Sequence, residues 1–216
     1  LRGDSVCEFI PTGWDADFPR AGHQRPEVMA GDKTRAFFGK ADTTELLDLL
    51  IDEAAGSLSL LSEFELGEPV ANDTLENDRP GADDSVRISF RVGFKTGRGV
   101  RVGFFQIPLD AALVLSGSLL MLPTDEIKVA CTKDAPDDGD KEAIMEVGNL
   151  IGGAIDAVLR KRFDDEANAI FAGCQGVAAG HAAWVPHYEG EPLATRRHEV
   201  SFRSFEPFEL LLAIPA

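Results

Sequence analysis

The segment 140–162 most constrains the fold, because it is long and strongly apolar on one side. Residues three or four positions apart share one face of an α-helix. At that spacing one face collects apolar residues, and the opposite face carries a narrow strip of acids, an amide and a glycine. The apolar face contains Ile144, Val147, Ile151, Ala154, Ile155 and Val158, and the strip contains Glu142, Glu146, Asn149, Gly153 and Asp156. The pattern predicts a helix that buries one side and presents the strip to solvent.

Strands are predicted on both sides of this helix, and they come in neighbouring pairs. Residues 86–94 alternate apolar and polar side chains, as a half-buried strand does. The sequence Thr96-Gly97-Arg98-Gly99 then supplies a turn, and residues 100–104 return as the partner strand. Further strands are predicted over 169–177, 199–205 and 208–214, and the last two form a second hairpin.

Two more helices are predicted between the strands. Asp42 is followed by Glu45 as in a capping box and begins a helix that runs to about residue 64. Pro108 begins an apolar helix that ends before Pro123. Strand pairs separated by helices predict an α+β fold, with a largely antiparallel sheet and two long helices packed on it. The order helix-then-strands occurs over 43–105 and again over 140–214, which predicts an internal pseudo-repeat.

The remaining segments are predicted to be irregular. Residues 66–84, 132–140 and 181–192 are predicted loops, the first two of them acidic. Residues 1–40 contain scattered prolines and glycines and are predicted to be an N-terminal arm or linker, whose aromatic side chains pack on a domain formed by residues 41–216.

Charge and cysteine content exclude several function classes. The 216 residues carry 37 acids and 21 bases, a net charge of −16, which argues against nucleic acid or an anionic membrane as a partner. Cys7, Cys131 and Cys174 are widely spaced, so the sequence shows no disulfide framework and no metal site. Reduced thiols and the lack of a membrane-spanning apolar run favour a cytoplasmic location.

The residues around the strip resemble a known family. The sequence EVGNLIGG at 146–153 matches the E-x-G/A-N-x-x-x-G pattern of the chemotaxis phosphatases CheC, CheX and FliY, and VRVGFFQIPLDAALVLSGSLLML is similar to the family's strand-then-helix lead-in. The resemblance spans about residues 43–216 and is dense over 86–162. The first helix lacks an E-x-x-N, so the resemblance is to members with a single site, as in CheX.

The resemblance implies hydrolysis of the phospho-aspartate on a CheY-like receiver domain of a response regulator. By position, Glu146 would dock against a lysine of the receiver, and Asn149 would orient the attacking water. Glu142, Gly153 and Asp156 would contribute to partner docking. The protein would need no cofactor of its own, because the receiver supplies the magnesium ion. A homodimer is also compatible with the resemblance.

Two other functions stay open at this point. Glu142 stands where the family often has Asp or Ser, which favours a non-catalytic module that binds a receiver or another signalling partner without hydrolysis. A small-ligand sensor joined to a signalling chain through residues 1–40 is the third hypothesis, and a deep apolar pocket would support it.

Overall fold

A computed structural model describes residues 8–9, 37–39, 42–61, 64–75, 85–179, 193–202 and 205–216, with the backbone alone for 8–9 and 64–75. These residues form seven strands and four helices. In chain order the elements are β1 (Glu8–Phe9), α1 (Thr43–Ser59), β2 (Phe64–Leu75), β3 (Arg87–Thr96), β4 (Gly99–Pro108), α2 (Leu109–Leu119), α3 (Thr124–Ala130), α4 (Asp138–Arg162), β5 (Asn168–Val177), β6 (Leu193–Phe202) and β7 (Phe208–Pro215).

The seven strands form one antiparallel sheet in the order β1-β5-β3-β4-β7-β6-β2. The β3–β4 and β6–β7 hairpins meet at the centre of the sheet, where β4 pairs with β7. Each hairpin is flanked by a strand from the other half of the chain: β5 pairs with β3, and β2 pairs with β6. This exchange gives the sheet a two-fold pattern, and it confirms the predicted pseudo-repeat and the α+β class.

The helices form a layer on one face of the sheet. The long helices α1 and α4 pack against each other, and α2 packs against α4. Together with alternate residues of the strands they enclose the main apolar core, whose largest fully buried side chains include Phe90, Phe94, Phe105, Leu50 and Ile51. No helix within the described residues has both the length and the apolar character needed to cross a bilayer.

The interior strand β3 is buried on both sides, whereas the sequence predicts a half-buried strand. Ile88, Phe90 and Phe94 face the helices, and Arg87 and Ser89, which point to the other face, are also buried. Alternation shows which face is more apolar, but it does not show whether the polar face is covered. Burial lowers the pKa of Arg87, and nearby Glu209 partly offsets that effect.

The described structure differs from the sequence analysis at three further places. Residues 64–75 form strand β2, although residues 66–84 are predicted to be a loop; 76–84 lie outside the described residues. The residue types of β2 suggest a loop, because they include Pro69 and Asn72. The strand accommodates the proline by register shifts on both sides of Pro69 in its pairing with β6. The short helix α3 is unpredicted, and β6 begins at Leu193, six residues before the predicted strand at Glu199.

Two described parts of the predicted N-terminal arm contact the domain. The backbone of Glu8–Phe9 pairs with β5 opposite Gln175 and Cys174. Phe37 and Phe38 are buried, and the Phe38 ring lies 5.8 Å from the rings of both Phe94 and Phe163. The rest of residues 1–36 and the predicted loop at 181–192 lie outside the described residues, so the boundary at residue 40 stays a prediction.

Candidate functional site

Helix α4 begins at a strong N-terminal cap. The Asp137 carboxylate accepts a hydrogen bond from the Asp140 backbone N–H at 3.0 Å, and the Asp140 carboxylate accepts one from the Asp137 N–H at 3.0 Å. Lys133 lies between the two carboxylates at 2.7 and 2.6 Å. The Lys133 ammonium is the main reason that the pKa of Asp137 falls to about 2. This cap fixes the start of the helix one turn before the candidate site.

The predicted faces of α4 match its burial. Ile144, Val147, Ile151 and Ile155 are fully buried under the helix. Of the strip, Glu142, Glu146, Asn149 and Gly153 are exposed, and Asp156 is half-buried. The helix therefore presents an acid, a second acid, an amide and a glycine in a row along its solvent face.

Glu146 and Asn149 form the centre of the strip. The Asn149 Nδ2 donates a hydrogen bond to Glu146 Oε2 at 3.3 Å. The amide has a second N–H on Nδ2 and an acceptor oxygen, so it can still hold one further small group such as a water. The helix backbone places both side chains on one face, so the pair is in position without any further conformational change.

The three glycines of α4 near the candidate site divide into two kinds. A Cβ added at Gly148 would overlap the Phe171 ring, and a Cβ at Gly152 would lie 2.8 Å from Phe171 Cβ and 3.1 Å from its backbone nitrogen. These two glycines let α4 lie directly on β5. A Cβ at Gly153 would meet nothing within 4 Å. Gly153 therefore lowers helix stability by about 1 kcal/mol relative to alanine without a packing reason inside the fold.

Asp156 connects α4 to β5. Its Oδ1 accepts a hydrogen bond from the Ala169 N–H at 2.8 Å, and its Oδ2 pairs with Arg160 Nε at 2.6 Å. Both carboxylate oxygens are therefore engaged within the protein. Asp156 therefore ties α4 to β5, and its role in partner docking stays a prediction.

A groove runs beside the strip, between α4 and β5. It encloses about 200 Å³ and is open to solvent. Its lining consists of Asn149, Gly152, Gly153, Asp156, Ala169, Ile170 and Phe171. The β5 residues of this lining are absent from the sequence prediction, because no local pattern shows which strand a helix covers. The groove is smaller than the roughly 300–1,000 Å³ usual for small-molecule sites.

Helix α1 carries the related surface of the other half of the fold. The sequences of α1 and α4 align with an offset of 97 residues. The alignment pairs buried Leu47, Leu50 and Ile51 with buried Ile144, Val147 and Gly148. The same alignment pairs Leu49 with Glu146, Asp52 with Asn149 and Gly56 with Gly153. An exposed glycine with nothing within 4 Å of its Cβ position is thus present in both halves, but only α4 carries the acid and the amide.

Other reactive groups lack the environment that chemistry requires. Cys174 is fully buried 3.3 Å from the Met145 sulfur, and burial raises the pKa of its thiol to about 12. His198 is buried as well, whereas His181 and His187 lie outside the described residues. Within the described ranges no three His, Cys, Asp or Glu side chains cluster as metal ligands.

Comparisons with known proteins identify the fold. No protein-family model matches the sequence, and no curated protein matches it. The structure is similar to Thermotoga maritima FliY, with a TM-score of 0.62 and 12% identity over 80% of this chain and 87% of that chain. It is similar to a CheC-like chemotactic protein from Shewanella oneidensis (TM-score 0.52, 11% identity, 81% and 100% covered) and to CheX from Vibrio vulnificus (TM-score 0.50, 12% identity, 79% and 99% covered).

At such low identity the structural similarity establishes the fold, and the activity has to be argued from the residues. The sheet order, the helix layer and these similarities agree with one another. The chain has the fold of the CheC, CheX and FliY chemotaxis proteins.

Proposed function

We propose that this protein hydrolyses the phospho-aspartate of a CheY-like receiver domain. The observation that carries the proposal is the exposed Glu146–Asn149 pair on α4, in a chain with the CheC, CheX and FliY fold. Water attacks phosphorus, the bond between phosphorus and the aspartyl oxygen breaks, and the products are inorganic phosphate and a free aspartate. The proton of the attacking water leaves with the phosphate products.

Each residue has one task in this reaction. Asn149 accepts a hydrogen bond from the water, or donates one to it, and aims it in line with the breaking bond. Glu146 pairs with a lysine of the receiver and fixes the register of docking. An amide suits the water-holding position better than a carboxylate, because a second negative charge would repel the phosphoryl group. The magnesium ion belongs to the receiver.

Little else is required of the catalyst, because an acyl phosphate is already reactive. Placing a water in the attack geometry converts a bimolecular step into an effectively unimolecular one. The exposed face of α4 allows the strip to approach a second protein closely. Leu49 and Asp52 occupy the positions of α1 that are related to Glu146 and Asn149. We therefore expect a single site, on α4.

The test is the lifetime of the phosphoryl group on receiver domains encoded beside this gene, measured with and without the protein. Asn149→Ala should lower kcat by about 100-fold. Glu146→Ala should mainly raise KM, because it removes a docking contact. Asp52→Ala, at the related position of α1, should match the wild type. Binding of the phosphorylated receiver with an unchanged lifetime would instead support the non-catalytic module.

A further inference from the structure

The face of the sheet opposite the helices contains two buried polar residues, Ser89 on β3 and Gln106 on β4, which we call the outer pair. The two residues lie directly opposite each other in the β3–β4 pairing, so their side chains are neighbours on this face. Ser89 is 1% exposed and Gln106 is 0% exposed. Polar groups buried to this extent normally have hydrogen-bond partners in the protein, in ordered water or in a ligand.

The hydrogen-bonding groups of the outer pair have no partner in the described part of the chain. These groups are the Ser89 hydroxyl oxygen and both amide atoms of Gln106, Oε1 and Nε2. The two neighbouring side chains do not bond to each other, so both are available to a third group. Leu211 lies opposite Gln106 on β7 and Phe104 lies on the same face of β4; both are apolar and buried, so they offer no partner.

Positive charge flanks the outer pair. Arg87 and Arg91 lie two residues before and two residues after Ser89 on the same face of β3, about 13 Å apart along the strand. Both are buried, and both also interact with other groups of the protein. Burial lowers the pKa of Arg87; Glu209 partly offsets this effect and Arg197 adds to it. An anion bound beside Arg87 would favour its charged form.

This face of the sheet is basic, in contrast to the whole chain. On strands β3 to β7 its charged side chains comprise four bases and two acids: Arg87, Arg91, Lys95, Arg197, Glu199 and Glu209. One of the acids, Glu209, is already paired with Arg197. The full chain carries a net charge of −16. The local excess of bases favours an anion over a cation as the third group at the outer pair.

The outer pair also distinguishes among anions. The Gln106 Nε2 requires an acceptor, and the Gln106 Oε1 requires a donor. Inorganic phosphate provides both at neutral pH, because it keeps at least one P–O–H group beside its charged oxygens. Sulfate has the same tetrahedral shape but no O–H group, and an ionised carboxylate has none either. Phosphate is therefore the small anion that can satisfy both atoms of the amide at once.

We propose that the outer pair and the two flanking arginines form a binding site for one inorganic phosphate ion. The Gln106 amide and the Ser89 hydroxyl bind the ion directly, and Arg87 and Arg91 supply the compensating charge. The site lies on the face of the sheet away from α4. It is therefore separate from the candidate site on α4 and does not depend on the proposed function.

Equilibrium dialysis against radiolabelled inorganic phosphate tests the proposal, with the full chain purified in phosphate-free buffer. Long incubation is needed, because the outer pair is shielded from solvent and the ion enters only when the structure opens transiently. One phosphate should bind per chain. Sulfate should bind at least about tenfold more weakly, because it cannot donate a hydrogen bond to Gln106 Oε1.

Substitutions of the outer pair should weaken phosphate binding. Gln106→Leu keeps a similar volume and should lower the affinity by about tenfold or more, and Ser89→Ala should lower it by about threefold or more. Phosphate should raise the Tm of the wild type in a saturable way and leave the Tm of Gln106→Leu nearly unchanged.

Two control variants should bind phosphate like the wild type. Ser118→Ala removes a hydroxyl from α2, on the other face of the sheet. Asn149→Ala distinguishes the outer pair from phosphate held at the candidate site on α4. Thermal unfolding of every variant without phosphate checks that the fold is intact.

Three results would overturn the phosphate site. The first is equal affinity for phosphate and sulfate, and the second is phosphate binding by Gln106→Leu within about twofold of the wild type. The third is a wild type that binds no phosphate, in which case ordered water satisfies the outer pair. None of these results bears on the proposed function, because the assay contains no receiver domain.

Discussion

Three of the four glycines of α4 provide a stability prediction with opposite signs at neighbouring positions. The changes are Gly153→Ala, Gly152→Ala and Gly148→Ala. At Gly153 the added Cβ meets nothing within 4 Å, so only the helix propensity changes. Alanine should then raise the free energy of unfolding by about 1 kcal/mol, or Tm by about 2–4 °C for a chain of this size.

At the other two positions the same gain in propensity is opposed by overlap with Phe171. The Phe171 ring is 6% exposed and packs against Phe90 with ring centroids 6.4 Å apart, so it has little room to move from Gly148. At Gly152 the Cβ would press on the backbone of β5, 3.1 Å from the Phe171 nitrogen. Overpacking costs about 1–3 kcal/mol, so both variants should be less stable than the wild type by up to about 2 kcal/mol.

Urea unfolding followed by circular dichroism measures all three variants. Gly56→Ala on α1 is the matched control, because its Cβ position is equally empty, and it should behave like Gly153→Ala. The reasoning is refuted if Gly153→Ala lowers stability, or if Gly148→Ala equals the wild type.

Three further predictions concern α4 and the neighbouring strand β5. Asp156→Ala should lower the free energy of unfolding by about 1–3 kcal/mol, measured in urea, because it leaves the partly buried Ala169 N–H without its acceptor. The pKa of Asp137 is lowered from 3.8 to about 2, so its carboxylate stabilises the fold above pH 4 and loses this effect as pH falls toward 2. The difference in the free energy of unfolding between the wild type and Asp137→Asn should therefore disappear over that range. A difference that stays constant with pH would contradict the assignment. Cys174 should resist iodoacetamide at pH 8 in the native protein and react on unfolding, because burial raises the pKa of its thiol to about 12. Mass spectrometry measures the extent of labelling. Rapid labelling of the native protein would contradict the buried environment.

The sequence contains enough information to predict the helix strip, because helical spacing fixes which side chains share a face. Glu146 and Asn149 lie together for that reason alone. The pairing of strands is different. Strand β2 crosses to the other half of the fold, and its proline and asparagine are typical of loops, so only the tertiary partner β6 reveals it as a strand.

Long-range packing also explains what is missing from the predicted site. Ile170 and Phe171 complete the groove from β5, and no spacing rule relates them to α4. Asp156 is predicted at the strip by its helical position, but its carboxylate is already occupied by Ala169 and Arg160, contacts that the helical pattern does not contain. Periodicity predicts faces, and the fold decides what each face touches.

The most direct test of the central claim is the single-turnover rate of phosphoryl loss from a receiver at saturating protein. The wild type should shorten the lifetime of the phosphoryl group, and Asn149→Ala should bind the receiver yet lengthen the lifetime by about 100-fold relative to the wild type. Asp52→Ala should keep the wild-type rate. A rate for Asn149→Ala equal to that of the wild type would contradict the assignment of Asn149 as the residue that orients water.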